Sequence, residues 1–88
     1  MENYNKVEKD KYTICYYLNG ELHRTDGPAY RHLINGNREW YQNGKRHRIE
    51  GPALECCDGY EEWYYEDQKI DCKTQEEFER LIKLKLFW

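Results

Sequence analysis

Aromatic and apolar residues in this chain fall in short runs, most of them closed by Asn-Gly or Asp-Gly. Tyr12 to Leu18 is aromatic and β-branched and ends at Asn19-Gly20, the pair that most readily takes the positive φ angles of a two-residue hairpin turn. Asn35-Gly36, Asn43-Gly44 and Asp58-Gly59 repeat that signal. The pattern predicts strands at 12–18, 21–24, 29–33, 37–42, 45–48, 53–57, 60–65 and 68–71, joined as an antiparallel meander. Alternate residues of a strand face opposite sides. Tyr16, Trp40 and Trp63 should therefore form one ladder, and Tyr17, Tyr41 and Tyr64 another on the reverse face. One of the two has to be core.

The runs also repeat as text. Asn19-Gly20-Glu21-Leu22-His23-Arg24-Thr25-Asp26-Gly27-Pro28-Ala29 returns 24 residues later as Asn43-Gly44-Lys45-Arg46-His47-Arg48-Ile49-Glu50-Gly51-Pro52-Ala53. The pairs Tyr16-Tyr17, Trp40-Tyr41 and Trp63-Tyr64 extend the period to three copies, spaced 24 and then 23 residues apart. Such a period marks a unit that cannot bury its own apolar face and stacks on copies of itself. Gly-Pro-Ala reads as a corner between hairpins, since Pro fixes φ and lacks an N–H while Gly is free of Cβ constraints. The third copy stops midway: Ile70-Asp71 stands where His47-Arg48 stood, and Thr74 where Gly51 stood.

From Thr74 the spacing becomes helical. Thr74-Gln75-Glu76-Glu77 fits a capping box, Phe78, Leu81 and Ile82 share a face, and Arg80, Lys83 and Lys85 lie toward the end, where the helix dipole favours cations. This helix should cover the last repeat and its sheet edge. Leu84, Leu86, Phe87 and Trp88 are too many apolar groups for one stripe, so the terminus either folds back on the sheet or docks in a partner.

Length and composition narrow the class without naming a reaction. The chain has 88 residues, enough for one domain, 1–88, with a small core: β-repeats over 12–73 and a C-terminal helix over 74–88, a mostly β fold. Tyr and Trp supply 12 of its 14 aromatic residues, rings that bury much area while keeping a polar atom for water. No run of about 20 apolar residues and no signal-like start is present, so a cytoplasmic protein without a membrane partner is expected.

The repeat Trp40-Tyr41-Gln42-Asn43-Gly44-Lys45-Arg46-His47-Arg48-Ile49-Glu50-Gly51-Pro52-Ala53 resembles short repeats of the MORN type. The likeness is to the variant Trp-Tyr-x-Asn-Gly-x-x-His-Arg-x-Asp-Gly-Pro-Ala of phage and large-virus proteins, and it spans roughly residues 12 to 71. The resemblance implies a twisted β-meander without catalytic residues. It also implies a viral accessory protein that binds and disables a host component, acting in the host cytoplasm if viral.

The most chemical element is His-Arg followed by an acid. Arg24 with Asp26, and Arg48 with Glu50, can brace the Gly-Pro corner; alternatively His23, Arg24, His47 and Arg48 hold a nucleotide or other anion through bidentate guanidinium bonds. Charge is uneven as well. Residues 19–53 carry six Lys or Arg against four acids, net +2, whereas 54–79 carry two against ten, net −8. The acidic stretch can meet a basic partner or simply be solvated. With a pI near 5.6, nucleic-acid binding is not expected.

The four cysteines, Cys15, Cys56, Cys57 and Cys72, lack a two-residue spacer, and Cys56 and Cys57 should point to opposite faces of a strand, so buried free thiols are expected in preference to a metal site. The chain has no serine, no nucleophile elbow and no phosphate loop, which argues against an enzyme or a cofactor. The reading is a non-enzymatic binding module whose partner, a host protein, docks on Trp40, Tyr41, Trp63, Tyr64, Glu61, Glu62, Glu66 and Asp67. Nucleotide capture and a purely structural repeat remain as alternatives, and homo-oligomerisation stays open.

Overall fold

The computed structural model describes residues 3–86. The chain runs through β1 (Lys6–Lys9), β2 (Thr13–Leu18), β3 (Glu21–Leu22), β4 (Tyr30–His32), β5 (Arg38–Glu39), β6 (Tyr41–Gln42), β7 (Lys45–Arg46), β8 (Leu54–Glu55), β9 (Glu61–Tyr65), β10 (Gln68–Ile70) and α1 (Gln75–Leu86). It is a mostly β meander with one C-terminal helix. Among the described residues, the sheet order is β1-β2-β4-β5-β8-β9-β10 with β3 paired to β2, and β6-β7 form a hairpin of their own.

The repeat explains this topology. Each aromatic strand lends its first half to the main sheet and its second half to a hairpin: β2 pairs with β4 through Thr13–Cys15 and with β3 through Tyr17 and Leu18, and β9 meets β8 at Glu61 and Glu62 but β10 at Trp63 to Tyr65. In the second copy the predicted strand 37–42 is interrupted at Trp40, whose N–H donates to the Ala53 carbonyl while its own carbonyl accepts from His47. Tyr16 does the same between Ala29 and His23. Ala29 and Ala53 are fully buried at these crossings.

The hairpin turns behave as their residues require. Asn19-Gly20 and Asn43-Gly44 both carry positive φ at both positions, the twist that matches paired strands. Gly27 and Gly51 are needed for a different reason. A Cβ on Gly51 would lie 2.8 Å from the guanidinium carbon of Arg48, and one on Gly27 would lie 2.9 Å from that of Arg24, so the bare Cα lets each Arg lie across its corner.

Both ends of the array are treated specially. β1 was not foreseen, because Lys6–Lys9 is exposed throughout and shows no apolar alternation, yet it pairs with β2 over four positions. At the other end Thr74 caps the helix, its hydroxyl oxygen accepting the Glu77 N–H. Phe78 and Ile82 bury against Trp63, with Tyr65, Ile70 and Cys72 around them. Leu84 is exposed, and the docking expected of Phe87 and Trp88 falls outside the described residues, as do the side chains of Lys85 and Leu86.

Two expectations about local placement need correction. Cys56 and Cys57 lie beyond β8, at a turn closed by the Gly59 N–H on the Cys56 carbonyl, so strand alternation does not orient them. The thiols are also less buried than expected: Cys57 is exposed and Cys15, Cys56 and Cys72 are half-buried. Burial pushes the Cys56 and Cys72 thiols up from their ordinary range, which keeps them protonated and poorly nucleophilic.

Candidate binding surfaces on the hairpin array

The three rings of the first ladder share a position but not a covering. Arg24 stacks its guanidinium 4.1 Å from the Tyr16 ring centroid, and Tyr4 meets the same ring edge-on at 4.8 Å. Arg48 lies 3.8 Å over Trp40. Trp63, which has Asp71 in place of that Arg, is covered instead by the helix and is only 5% exposed. Its indole N–H donates to Gln75 Oε1, and Gln75 in turn donates to the Ile49 carbonyl. Trp63 is therefore removed from the surface residues named above: it is core.

The arginines of the His-Arg elements brace corners, though not quite as the spacing suggested. Arg24 pairs with Asp26 at 2.8 Å and donates to the Pro28 carbonyl. Arg48 donates to the Pro52 carbonyl but pairs with Glu55 at 3.1 Å instead of Glu50, because β8 brings the Glu55 carboxylate over the corner, where it also meets Arg38.

The histidines do something the spacing did not disclose. Nδ1 of His23 accepts the Asn43 N–H at 2.9 Å, and Nδ1 of His47 accepts the Glu66 N–H at 2.9 Å, so each imidazole holds the turn of the following hairpin. Two backbone bonds accompany each: Gly44 N–H to the Leu22 carbonyl and Arg24 N–H to the Tyr41 carbonyl, then Asp67 N–H to the Arg46 carbonyl and Arg48 N–H to the Tyr64 carbonyl. At the first hairpin Asn5 takes both parts. Its side-chain oxygen accepts the Asn19 N–H and its N–H donates to the Tyr17 carbonyl.

Burial lowers the pKa of His47 from its ordinary value, against the opposing pull of Glu66 and Glu50. The neutral ring is thus favoured in the fold, and its contribution is complete above the unfolded value near 6.5. It is lost as pH falls, because the unfolded chain takes up the proton first. Urea denaturation should show a loss of stability from pH 7 to pH 5 that is smaller in His47→Asn, whose amide oxygen can stand in as Asn5 does.

The second ladder forms a polar face. Arg46 joins Glu39 at 2.6 Å, the Tyr41 hydroxyl at 3.2 Å and the Tyr64 hydroxyl at 3.2 Å, with Tyr41 also donating to Glu39. Burial opposes the Arg46 charge, but the bond and charge of Glu39 outweigh it and raise its pKa. Beside it, Tyr60, Tyr64 and Lys69 all bond the Glu62 carboxylate, which lies below its usual range chiefly through Tyr60. Tyr41, Tyr64 and Glu62 are thereby tied down, half-buried, while Glu66 and Asp67 stand exposed at the tip and Glu61, which alternates with Glu62, is exposed on the opposite face of β9.

Glu66 and Asp67 form the turn of the third hairpin. Both have positive φ, 46° and 71°, at the places where the other two hairpins put Asn-Gly. Asp67 keeps one useful bond, accepting the Arg46 N–H at 3.3 Å.

Comparison with known proteins returns no match, whether family model, curated protein or solved structure.

A concavity of about 270 Å³ brings Arg24, Trp40, His47 and Arg48 together, with Asp26 and Glu50 also in its wall. His23 is buried and is not part of that lining. A wider hollow of about 430 Å³ beside β1 gathers Val7, Glu8, Lys9, Asp10, Thr13 and Cys15. Among the described residues no three His, Cys, Asp or Glu side chains gather as a metal site, and no helix is long and apolar enough to cross a membrane.

Proposed function

We propose that the chain is a non-enzymatic protein-binding module that docks a basic partner on its third hairpin. The observation that carries this is the placement of Glu66 and Asp67 at two positive-φ positions, where Glu costs about 1 kcal/mol relative to Asn or Gly and Asp, which tolerates the left-handed region, costs less. Two repeats use the favourable pair and the third gives it up for two exposed carboxylates. Strain that persists at an exposed acidic tip is more economical to explain by contact than by folding. The half-exposed Tyr60 extends the surface, while Tyr41, Tyr64 and Glu62 fix its shape. Glu61 faces the other side of β9, and Trp40, under Arg48, lines the concavity with Arg24 and His47, so neither belongs to it. On the resemblance to the phage and large-virus repeats, the partner is a host protein, in the sharpest form a defence protein, which the module disables by binding in the host cytoplasm.

The test is capture by the tagged full chain from host lysate, with mass spectrometry of what co-purifies. A stoichiometric protein retained by the wild type should be lost with Glu66→Gln and Asp67→Asn combined, which remove charge and little else. A partner that ignores the paired variant refutes this surface.

A second reading is supported by the concavity that brings Arg24, His47 and Arg48 together: sequestration of a nucleotide or other anion. The engagement of both guanidiniums by Asp26 and Glu55 weighs against it. A nucleotide released on denaturing purified protein, without a protein partner, would favour it.

A further inference from the structure

The junction between hairpins is built the same way twice. The second strand of one hairpin offers an outward carbonyl, Leu22 or Arg46, to the turn N–H of the next, Gly44 or Asp67. Two residues on, its backbone N–H, Arg24 or Arg48, reaches back to the aromatic carbonyl of the next, Tyr41 or Tyr64. By the period of the repeat the corresponding groups of the third hairpin are the Lys69 carbonyl and the Asp71 N–H. Lys69 faces Tyr64 on β9, the register at which Leu22 and Arg46 turn their carbonyls outward. Among the described residues neither group has a partner, and Gln68, Lys69 and Asp71 are exposed. Among the described residues the helix covers Trp63 and leaves the Lys69 carbonyl and the Asp71 N–H unoccupied.

We propose that the β10 edge receives the tip of a β-hairpin from a basic partner protein, adding a fourth hairpin to the array by the bonds that join the first three. This rests on the protein-binding reading and says how the partner is held. The occupant follows from continuity, since a hairpin tip is what fills both equivalent edges. Its charge follows from the surroundings: Glu66, Asp67 and Asp71 are exposed here, and the Lys69 ammonium is already paired with Glu62. The same complementarity operates within the chain with signs exchanged, where the acidic tip Glu66-Asp67 sits against the edge carrying Lys45 and Arg46. Main-chain bonds at an open sheet edge supply affinity in this mode, and side chains supply choice of partner.

The probe is a head-to-tail cyclised peptide with the sequence Glu39 to Arg48, the basic hairpin of this chain, titrated into the ¹⁵N-labelled full-length protein. Saturable amide shifts confined to Glu66–Asp71 are expected. Replacing Gly44 of the peptide by sarcosine removes the tip N–H and should weaken binding about tenfold without touching the protein. Asp71→Pro should weaken it as much, and more than Asp71→Ala, since it removes the N–H that reaches the aromatic carbonyl of the incoming hairpin, whereas Lys69→Ala, which loses the Glu62 ion pair but keeps both edge groups, should bind as the wild type does. Absent shifts, shifts elsewhere, or indifference to sarcosine overturns the proposal. Self-association of the wild type that Asp71→Pro abolishes would give the edge to a second copy and overturn it equally. A captured host protein that is lost with the paired charge variant at Glu66 and Asp67 but retained by Asp71→Pro would sink this inference and leave the binding surface standing.

Discussion

Phe78→Ala should lower stability by about 3–5 kcal/mol, the ordinary cost of emptying a fully buried aromatic site. Phe78 is fully buried and closes the core formed with Trp63 and Ile82, so its removal opens a cavity that a helix anchored at one end by Gln75 cannot collapse to fill. A chain of 88 residues has about 5–10 kcal/mol in total, so a large part of it goes with one side chain. The measurement is urea denaturation followed by Trp emission, which should also shift to the red in the native baseline as Trp63 meets water. A loss below about 1 kcal/mol would mean that the helix does not cover Trp63 in solution.

That helix also accounts for what could be read in advance and what could not. The hairpins were legible because Asn-Gly is a strong local signal and because the period carries it into a copy whose turn, Glu66-Asp67, has no such residues. β1 was not legible: Lys6–Lys9 buries no side chain and is held by backbone pairing with β2 and by Asn5, whose bonds depend on tertiary placement. The His-Arg element was legible as a brace and illegible as a junction. Yet the signal was present in which copies carry it. His stands in the two copies that are followed by another hairpin and is replaced by Ile70 in the one that is not, and Arg stands over the two rings that the helix does not cover. A repeat whose last unit changes residue at two positions marks the contacts that the missing neighbour would have used. What local pattern could not supply was the pairing of Arg48 with Glu55, which depends on how the chain turns at the Gly-Pro corner between them, or the burial of Trp63, which is decided by a helix further along the chain.

The same comparison of copies singles out the third turn, where stability and binding should move in opposite directions. Glu66→Asn with Asp67→Gly restores the turn of the first two hairpins. The backbone bonds to His47 and the Arg46 carbonyl remain, because both come from main-chain N–H groups, and only the side-chain bond of Asp67 to the exposed Arg46 N–H is lost. Relief of two positive-φ positions then exceeds that loss, for a gain of about 1 kcal/mol. On the proposed function the same variant removes both carboxylates from the tip, so capture of the basic partner should fall to background while the protein melts later. Isosteric Glu66→Gln with Asp67→Asn separates the causes: it should lose the partner just as completely with a much smaller gain in stability. A doubly substituted turn that is more stable and still holds the partner would show that the strained acidic tip is not where the partner binds.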